Sequence, residues 1–218
     1  MVELYEGILT TRAIRRFTSE PVLEEEVVAC IRAAQQAPSG GNSQPWQYLV
    51  ITDPEVRSGV GVEYLQAYER WEAAQLATLP ADWPEDVEAQ YRRGVELSRT
   101  LAERVDRAPA LALFLMPKVS IAPVDDEGPV DIGPLYASVY PAVQNFMLAA
   151  RSLGIGTVLT TVWWSRQGQL RGILGIPDRF EIVALVPMGR PVGRFGVAPR
   201  KPIEPITHWD RYGNRPLR

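Results

Sequence analysis

Alternating helix-like and strand-like segments predict a three-layer fold in which helices pack on both faces of a central sheet. Two observations carry that expectation. The apolar run 110–116 (ALALFLM) is short and bounded by Pro109 and Pro117, as a strand buried on both faces would be. Before and after it lie stretches, 23–37 and 134–153, whose apolar residues recur at helical spacing. Periodicity alone leaves open whether the strands run parallel or mixed. With 218 residues, 46% apolar and 22% charged, the chain has the composition of an ordered globular protein with a substantial core.

Leu23, Val27, Ile31 and Ala34 share one helix face behind Glu24, Glu25 and Glu26, whose charges suit a helix N-terminus, so the spacing predicts a helix over 23–37. Pro38 and the glycines of 38–46 (PSGGNSQPW) stop it, and 47–52 (QYLVIT) reads as a strand entering a turn at Asp53-Pro54. Residues 55–107 are helical in composition but broken by LPADWP at 79–84, and carry Tyr64, Tyr68, Trp71, Trp83 and Tyr91; they form a helical excursion. The strand at 110–116 belongs in the centre of the sheet, and 118–133 is a polar loop. Leu135, Val139, Ala142, Val143, Phe146, Ala149 and Ala150 predict a heavily buried helix over 134–153, stopped by Gly154. Residues 157–164 and 181–189 read as strands around a short helix at 166–174, and the tail from Gly193 is basic and proline-spaced. With neither repeat nor linker, 1–218 reads as one domain.

Several functions are disfavoured at once. A net charge of −3 gives no global attraction to nucleic acid or an anionic membrane. One cysteine, Cys30, and one histidine, His208, supply neither an internal disulfide nor a Cys/His zinc set. The N-terminus is acidic where a signal peptide is basic, and no apolar run reaches membrane-spanning length, so the expected address is the cytoplasm. Neither a G-x-G-x-x-G turn nor a phosphate loop occurs.

Two constellations carry chemistry. In 11–17 (TRAIRRF), Arg12 and Arg15 would share one face of a helix, where two guanidiniums suit a phosphate, though a solvated basic helix end would look the same. Arg200 and Lys201 in the extended 199–205 segment offer a further cation. In 38–46, glycines beside Ser39, Asn42 and Gln44 allow backbone to approach a planar ligand while polar groups face it. A plain helix stop would need the Pro and Gly but not Asn42, Gln44 and Trp46 together.

Taken together, TTRAIRRF, APSGGNSQPWQYLV, the 134–153 helix and RKPIEPITHWD resemble the FMN-dependent nitroreductase family almost from end to end. The resemblance implies an α+β fold: an α/β/α sandwich around a mixed, mainly antiparallel sheet, with the 55–107 excursion as a lid and an extended C-terminal tail. It implies that Arg12, Ala13 and Arg15, joined by Arg200, hold the FMN phosphate. Pro38, Ser39, Gly40 and Asn42 would contact the flavin ring across the interface of a homodimer. Ser138 and Tyr140 would lie near the ring, and Leu159, Thr160 and Thr161 beside its reactive edge. Ala13 departs from the family serine and loses a hydroxyl. A basic residue beside flavin N1 is also expected, with Arg104 or Arg107 as candidates. The implied activity is ping-pong hydride transfer from NADH or NADPH to a nitroaromatic, quinone or other small planar acceptor, with the chemistry carried by the cofactor and no catalytic triad.

Two alternatives remain open. One is a flavin-sequestering protein without turnover. The other is a different flavin reaction such as reductive dehalogenation. Dehalogenating relatives grip an amino-acid zwitterion with a Glu, a Tyr and a Lys of the lid; Glu63, Glu88, Tyr64 and Tyr91 are available here, but the excursion has no lysine.

Overall fold

The computed structural model describes residues 2–118, 124–129 and 135–215. Helix α1 (Leu4–Thr10) precedes α2 (Glu24–Ala34), whose first-turn glutamate Glu26 accepts from the Leu23 N–H at 3.0 Å. Strand β1 (Gln47–Ile51) leads through the Asp53 side-chain cap into α3 (Pro54–Ala77), and α4 (Glu85–Ala102) returns to β2 (Ala110–Pro117). A two-residue hairpin, β3 (Val124–Asp125) and β4 (Gly128–Pro129), is what is described of the predicted loop between residues 119 and 133; 119–123 and 130–134 lie outside the described residues. Helix α5 (Tyr140–Ser152), strand β5 (Gly156–Thr157), helix α6 (Gln167–Leu174) and strand β6 (Phe180–Gly189) complete the fold.

The four-stranded sheet has the order β1-β2-β6-β5, with every ladder antiparallel and a single parallel bridge, Ala13 to Thr157, along its edge. The expected mixed, mainly antiparallel sheet is therefore present, and β2 lies inside it. Alternation along β2 divides two cores: Ala110, Ala112, Phe114 and Met116 face the layer of α2 and α5, while Leu111, Leu113 and Leu115 face that of α3 and α6. A bulge between Phe114 and Leu115 leaves Val183 as the extra residue of β6, so Val183 and Ala184 both join the first core.

Two predicted elements, and the helical form on which the Arg12 and Arg15 spacing relied, are corrected. The helix expected at 134–153 is split into a 3-10 turn, Leu135–Ser138, and α5, because Pro141 is tolerated only in a first helical turn. The strand expected at 157–164 pairs for two residues, touches β6 once more at Thr160, and then winds into a 3-10 helix, Val162–Arg166. That turn seats Trp163 fully in the second core, with its indole N–H donating to the Thr160 carbonyl at 2.8 Å. Residues 11–17 are extended rather than helical, because in this form they cover the exposed edge of β5.

Cys30 is wholly buried on α2, and burial, aided by the charge of Glu26, pushes its thiol up to about 12. The thiolate needed for attack is then scarce at neutral pH. Cys30 is expected to stay unmodified by thiol reagents at pH 8 until denaturant is added; labelling of the native protein at the denatured rate would contradict this burial.

Candidate functional site

Two glycines create the seat for the segment after α1. Gly156 and Gly189 are partners across β5 and β6, and a Cβ on Gly156 would fall 2.8 Å from Ile14 Cγ2. One on Gly189 would fall 2.6 Å from Pro109 Cδ and 3.1 Å from Phe17 Cβ. Bare backbone at both positions lets residues 13–17 lie directly on the sheet. Ile14 N–H donates to the Thr157 carbonyl at 2.9 Å, Thr18 N–H to that of Arg190 at 2.9 Å, and Val192 N–H to that of Arg16 at 3.0 Å.

Between these stitched strands and α4 lies a cavity of about 550 Å³. Arg12, Ala13, Ile14, Arg15 and Arg16 form one wall, Val192, Gly193 and Arg194 the second, and Leu97 and Thr100 of α4 the third. Arg12 and Arg15 thus meet as expected, though not by helical spacing. Among the described residues none of Arg12, Arg15, Arg16 and Arg194 has a carboxylate within 4.0 Å, whereas Arg92, Arg99, Arg151, Arg166, Arg171 and Arg190 all do. Guanidiniums without carboxylate partners around a concave surface can hold an anion, and their planar forks suit a carboxylate or a phosphate.

Arg200 is exposed, outside this cavity, and among the described residues its guanidinium donates only to the Pro199 carbonyl, at 3.1 Å. Arg104 and Arg107 are exposed and also lie outside it. What sequence reasoning missed is the pair Leu97 and Thr100, one helical turn apart on α4, together with Arg16 and Arg194. The signal for the first pair was its i,i+3 spacing, hidden by the polar composition of α4.

The loop of Pro38, Ser39, Gly40 and Asn42 assembles elsewhere, beside Ser138: Gly40 N–H donates to Ser138 Oγ at 3.3 Å. Gly41, Asn42 and Gln44 have φ of 58°, 54° and 46°, the left-handed region where a glycine is comfortable and an asparagine tolerable. Side chains hold that shape: Ser39 Oγ accepts from Gln44 N–H at 3.0 Å, and Asn42 Oδ1 from Gln44 Nε2 at 3.2 Å. Trp46 is buried in the first core and anchors the loop.

Leu159, Thr160 and Thr161 differ in what they can offer. Leu159 packs half-buried on the first core. Thr160 is buried; its N–H donates to the Leu185 carbonyl at 3.0 Å, and its hydroxyl shares a 2.6 Å hydrogen bond with Tyr64 of α3. Burial holds the Tyr64 phenol above the ordinary tyrosine value, with Thr160 and the charge of Arg15 opposing. Thr161 is exposed. Tyr64 and Tyr68 of the excursion are core residues, while Trp71, Trp83 and Tyr91 stay half-exposed, the last two edge to face at 5.3 Å.

The fold is that of an α+β protein with an arginine-lined cavity at the edge of its sheet. The sequence profile of the nitroreductase family matches residues 8–190, and the chain belongs to that family. A protein of Archaeoglobus fulgidus named for NADH dehydrogenase/NAD(P)H nitroreductase is 28% identical over 88% of this chain and 87% of its own length. Iodotyrosine deiodinase of Nematostella vectensis is 27% identical over 94% of this chain and 74% of its own. Among solved structures, a point mutant of NfnB, an FMN and NADPH-dependent nitroreductase of a Sphigopyxis strain, superposes with a TM-score of 0.70. It is 22% identical, over 96% of this chain and 99% of the other.

Proposed function

We propose that this protein is an FMN-dependent NAD(P)H oxidoreductase acting on a nitroaromatic, a quinone or a similar planar acceptor. The observation that carries the reading is a cavity lined by four arginines that have no carboxylate partner among the described residues, in a fold shared with an FMN and NADPH-dependent nitroreductase. The residues fit the cofactor: Arg12 and Arg15 supply cations for its phosphate, and Thr100 stands on the cavity wall with its hydroxyl donating to the Glu96 carbonyl at 3.3 Å. When bound, FMN supplies hydride transfer through N5, from NADH or NADPH to the acceptor. Thr161, with its exposed hydroxyl, is the member of 159–161 best placed to meet a ligand, while Thr160 and Tyr64 hold that stretch against α3.

Within one chain, the Pro38–Asn42 loop with Ser138 and the arginine cavity share no lining residue. We therefore infer a homodimer in which this loop covers the ring held by the partner subunit, and in which exposed Arg200 reaches a cofactor only across the interface. Exposed Leu4, Tyr5, Ile8 and Leu9 on α1 and Ile203, Ile206 and Trp209 on the tail offer apolar surface for such an interface. The same reading treats the chain as one domain with α3 and α4 as its lid, in the cytoplasm. Among the described residues no helix is long and apolar enough to cross a membrane.

Kinship with iodotyrosine deiodinase keeps dehalogenation as the second reading. The lid groups a zwitterion clamp would draw on are already engaged: Glu63 with Arg166 at 2.7 Å, Glu88 with Arg92 at 2.7 Å, Tyr64 with Thr160, and Tyr91 with Gln75. This favours the nitroreductase reading. The test is an anaerobic absorbance spectrum before and after NADPH and NADH. Bleaching of bound flavin, reversed by a nitroaromatic, is the expected result. A yellow protein that neither nucleotide bleaches would shift the assignment to sequestration, and one that refuses FMN would end the flavoprotein reading.

A further inference from the structure

We propose that Arg16 and Arg194 form a second anion subsite in the arginine cavity, one that takes a phosphate group of the incoming nucleotide reductant while Arg12 and Arg15 hold that of the cofactor. The proposal rests on the FMN reading above. Its starting point is a charge mismatch. A phosphate monoester carries close to two negative charges, which two guanidiniums balance. Four line this cavity, and among the described residues none of them has a carboxylate partner. Four like charges around one concavity, with apolar Leu97 and Val192 among its lining residues, favour the entry of more than one anionic group.

The fold also sets Arg15 apart from Arg16 and Arg194. Arg15 lies close enough to Tyr64 for its charge to act on that phenol, which places it toward α3 and the 157–161 stretch. Arg16 and Arg194 stand where the opposing wall is stitched on, through the hydrogen bond from Val192 N–H to the Arg16 carbonyl. Beyond Val192 the chain turns at Gly193, φ 109°, and delivers Arg194 to the cavity. A volume of about 550 Å³ leaves room for more than a single phosphate.

The phosphate could come from the pyrophosphate common to NADH and NADPH or from the 2′-phosphate of NADPH alone. Two redox-inactive fragments distinguish them: ADP-ribose, which carries the pyrophosphate, and 2′-phospho-ADP-ribose, which carries both. Calorimetric titration of each into FMN-loaded wild type, Arg194→Ala and Arg16→Ala is the experiment. The expected result is at least tenfold weaker binding in the variants with flavin content per subunit unchanged. Equal weakening for both fragments assigns the pyrophosphate; weakening for 2′-phospho-ADP-ribose alone assigns the 2′-phosphate. Unchanged fragment affinity in both variants overturns the subsite, as does release of FMN by Arg194→Ala, which would make Arg194 a cofactor ligand. Wild-type protein that takes up no flavin shows instead that the FMN reading has failed, and the subsite falls with it.

Discussion

Arg15→Ala is expected to weaken FMN binding by about 10- to 100-fold while leaving riboflavin binding within about threefold of wild type. The size follows from the interaction lost: a hydrogen bond to a charged group contributes about 1.5–3 kcal/mol, and each 1.4 kcal/mol is a factor of ten. The selectivity follows from the ligand, since riboflavin has the ring and ribityl chain but no phosphate for the guanidinium to meet. Arg12→Ala should behave alike, and the double variant should lose more than either, though short of the product because both arginines line one cavity. The stability of the empty protein gives an independent sign. Arg15 has no carboxylate partner among the described residues and shares its cavity with three other arginines, so its removal relieves repulsion. The melting temperature of flavin-free Arg15→Ala should therefore stay level or rise. Fluorescence titration with both flavins and a thermal melt check the two halves. Equal loss of riboflavin and FMN would mean that Arg15 shapes the fold rather than holding a phosphate.

Those arginines were legible as residues and not as geometry. TRAIRRF contains the cations, but whether Arg12 and Arg15 face one cavity depends on backbone form, and they reach it from an extended segment rather than by helical spacing. The segment is extended because the edge of β5 needs a partner, a demand that originates about 140 residues away and leaves no local mark on residues 11–17. Elements with strong local signals behaved otherwise. The apolar run of β2 and the caps and stripe of α2 are properties of their own residues, and both formed where expected, to within a few residues. Pro141 could have been read as a helix start, since an interior proline breaks a helix, yet the apolar stripe ran straight past it. Trp163 shows the opposite limit. Its neighbours Thr160, Thr161 and Val162 favour a strand, but filling the second core with an indole whose N–H still finds a carbonyl required a turn. Thr100 and Leu97 were invisible for a third reason: they are ordinary helix residues that matter through what lies opposite.

Gly156→Val is expected to lower both the melting temperature and FMN affinity, because one glycine supports the sheet edge and the arginine segment together. Its missing side chain is the space into which Ile14 packs, and a new Cβ would lie 2.8 Å from Ile14 Cγ2 and 2.9 Å from its Cβ. The Ile14 Cβ cannot rotate away; it moves only with its backbone, which is tied to the Thr157 carbonyl by a 2.9 Å hydrogen bond. Residues 12–16 must therefore lift off the sheet. Overpacking of this kind costs about 1–3 kcal/mol, which for a protein of this size is about 2–12 °C in melting temperature. Displacing the arginines by even about 1 Å should cost a further tenfold or more in cofactor affinity, since a stretched or tilted hydrogen bond to a charged phosphate loses most of its strength. The partner glycine predicts the same outcome by a different contact: Gly189→Ala would press on Pro109 and Phe17. A control comes from α6, where a Cβ at Gly168 would meet nothing within 4 Å, so Gly168→Ala should stabilise by about 0.5–1 kcal/mol and leave FMN binding alone. The decisive variant is Gly156→Ala combined with Ile14→Ala. If the clash between these two positions is the mechanism, truncating Ile14 should restore part of the affinity that Gly156→Ala loses, giving a favourable coupling of about 1–3 kcal/mol. Purely additive losses in that cycle would show that Gly156 acts on the sheet and not on the segment it seats.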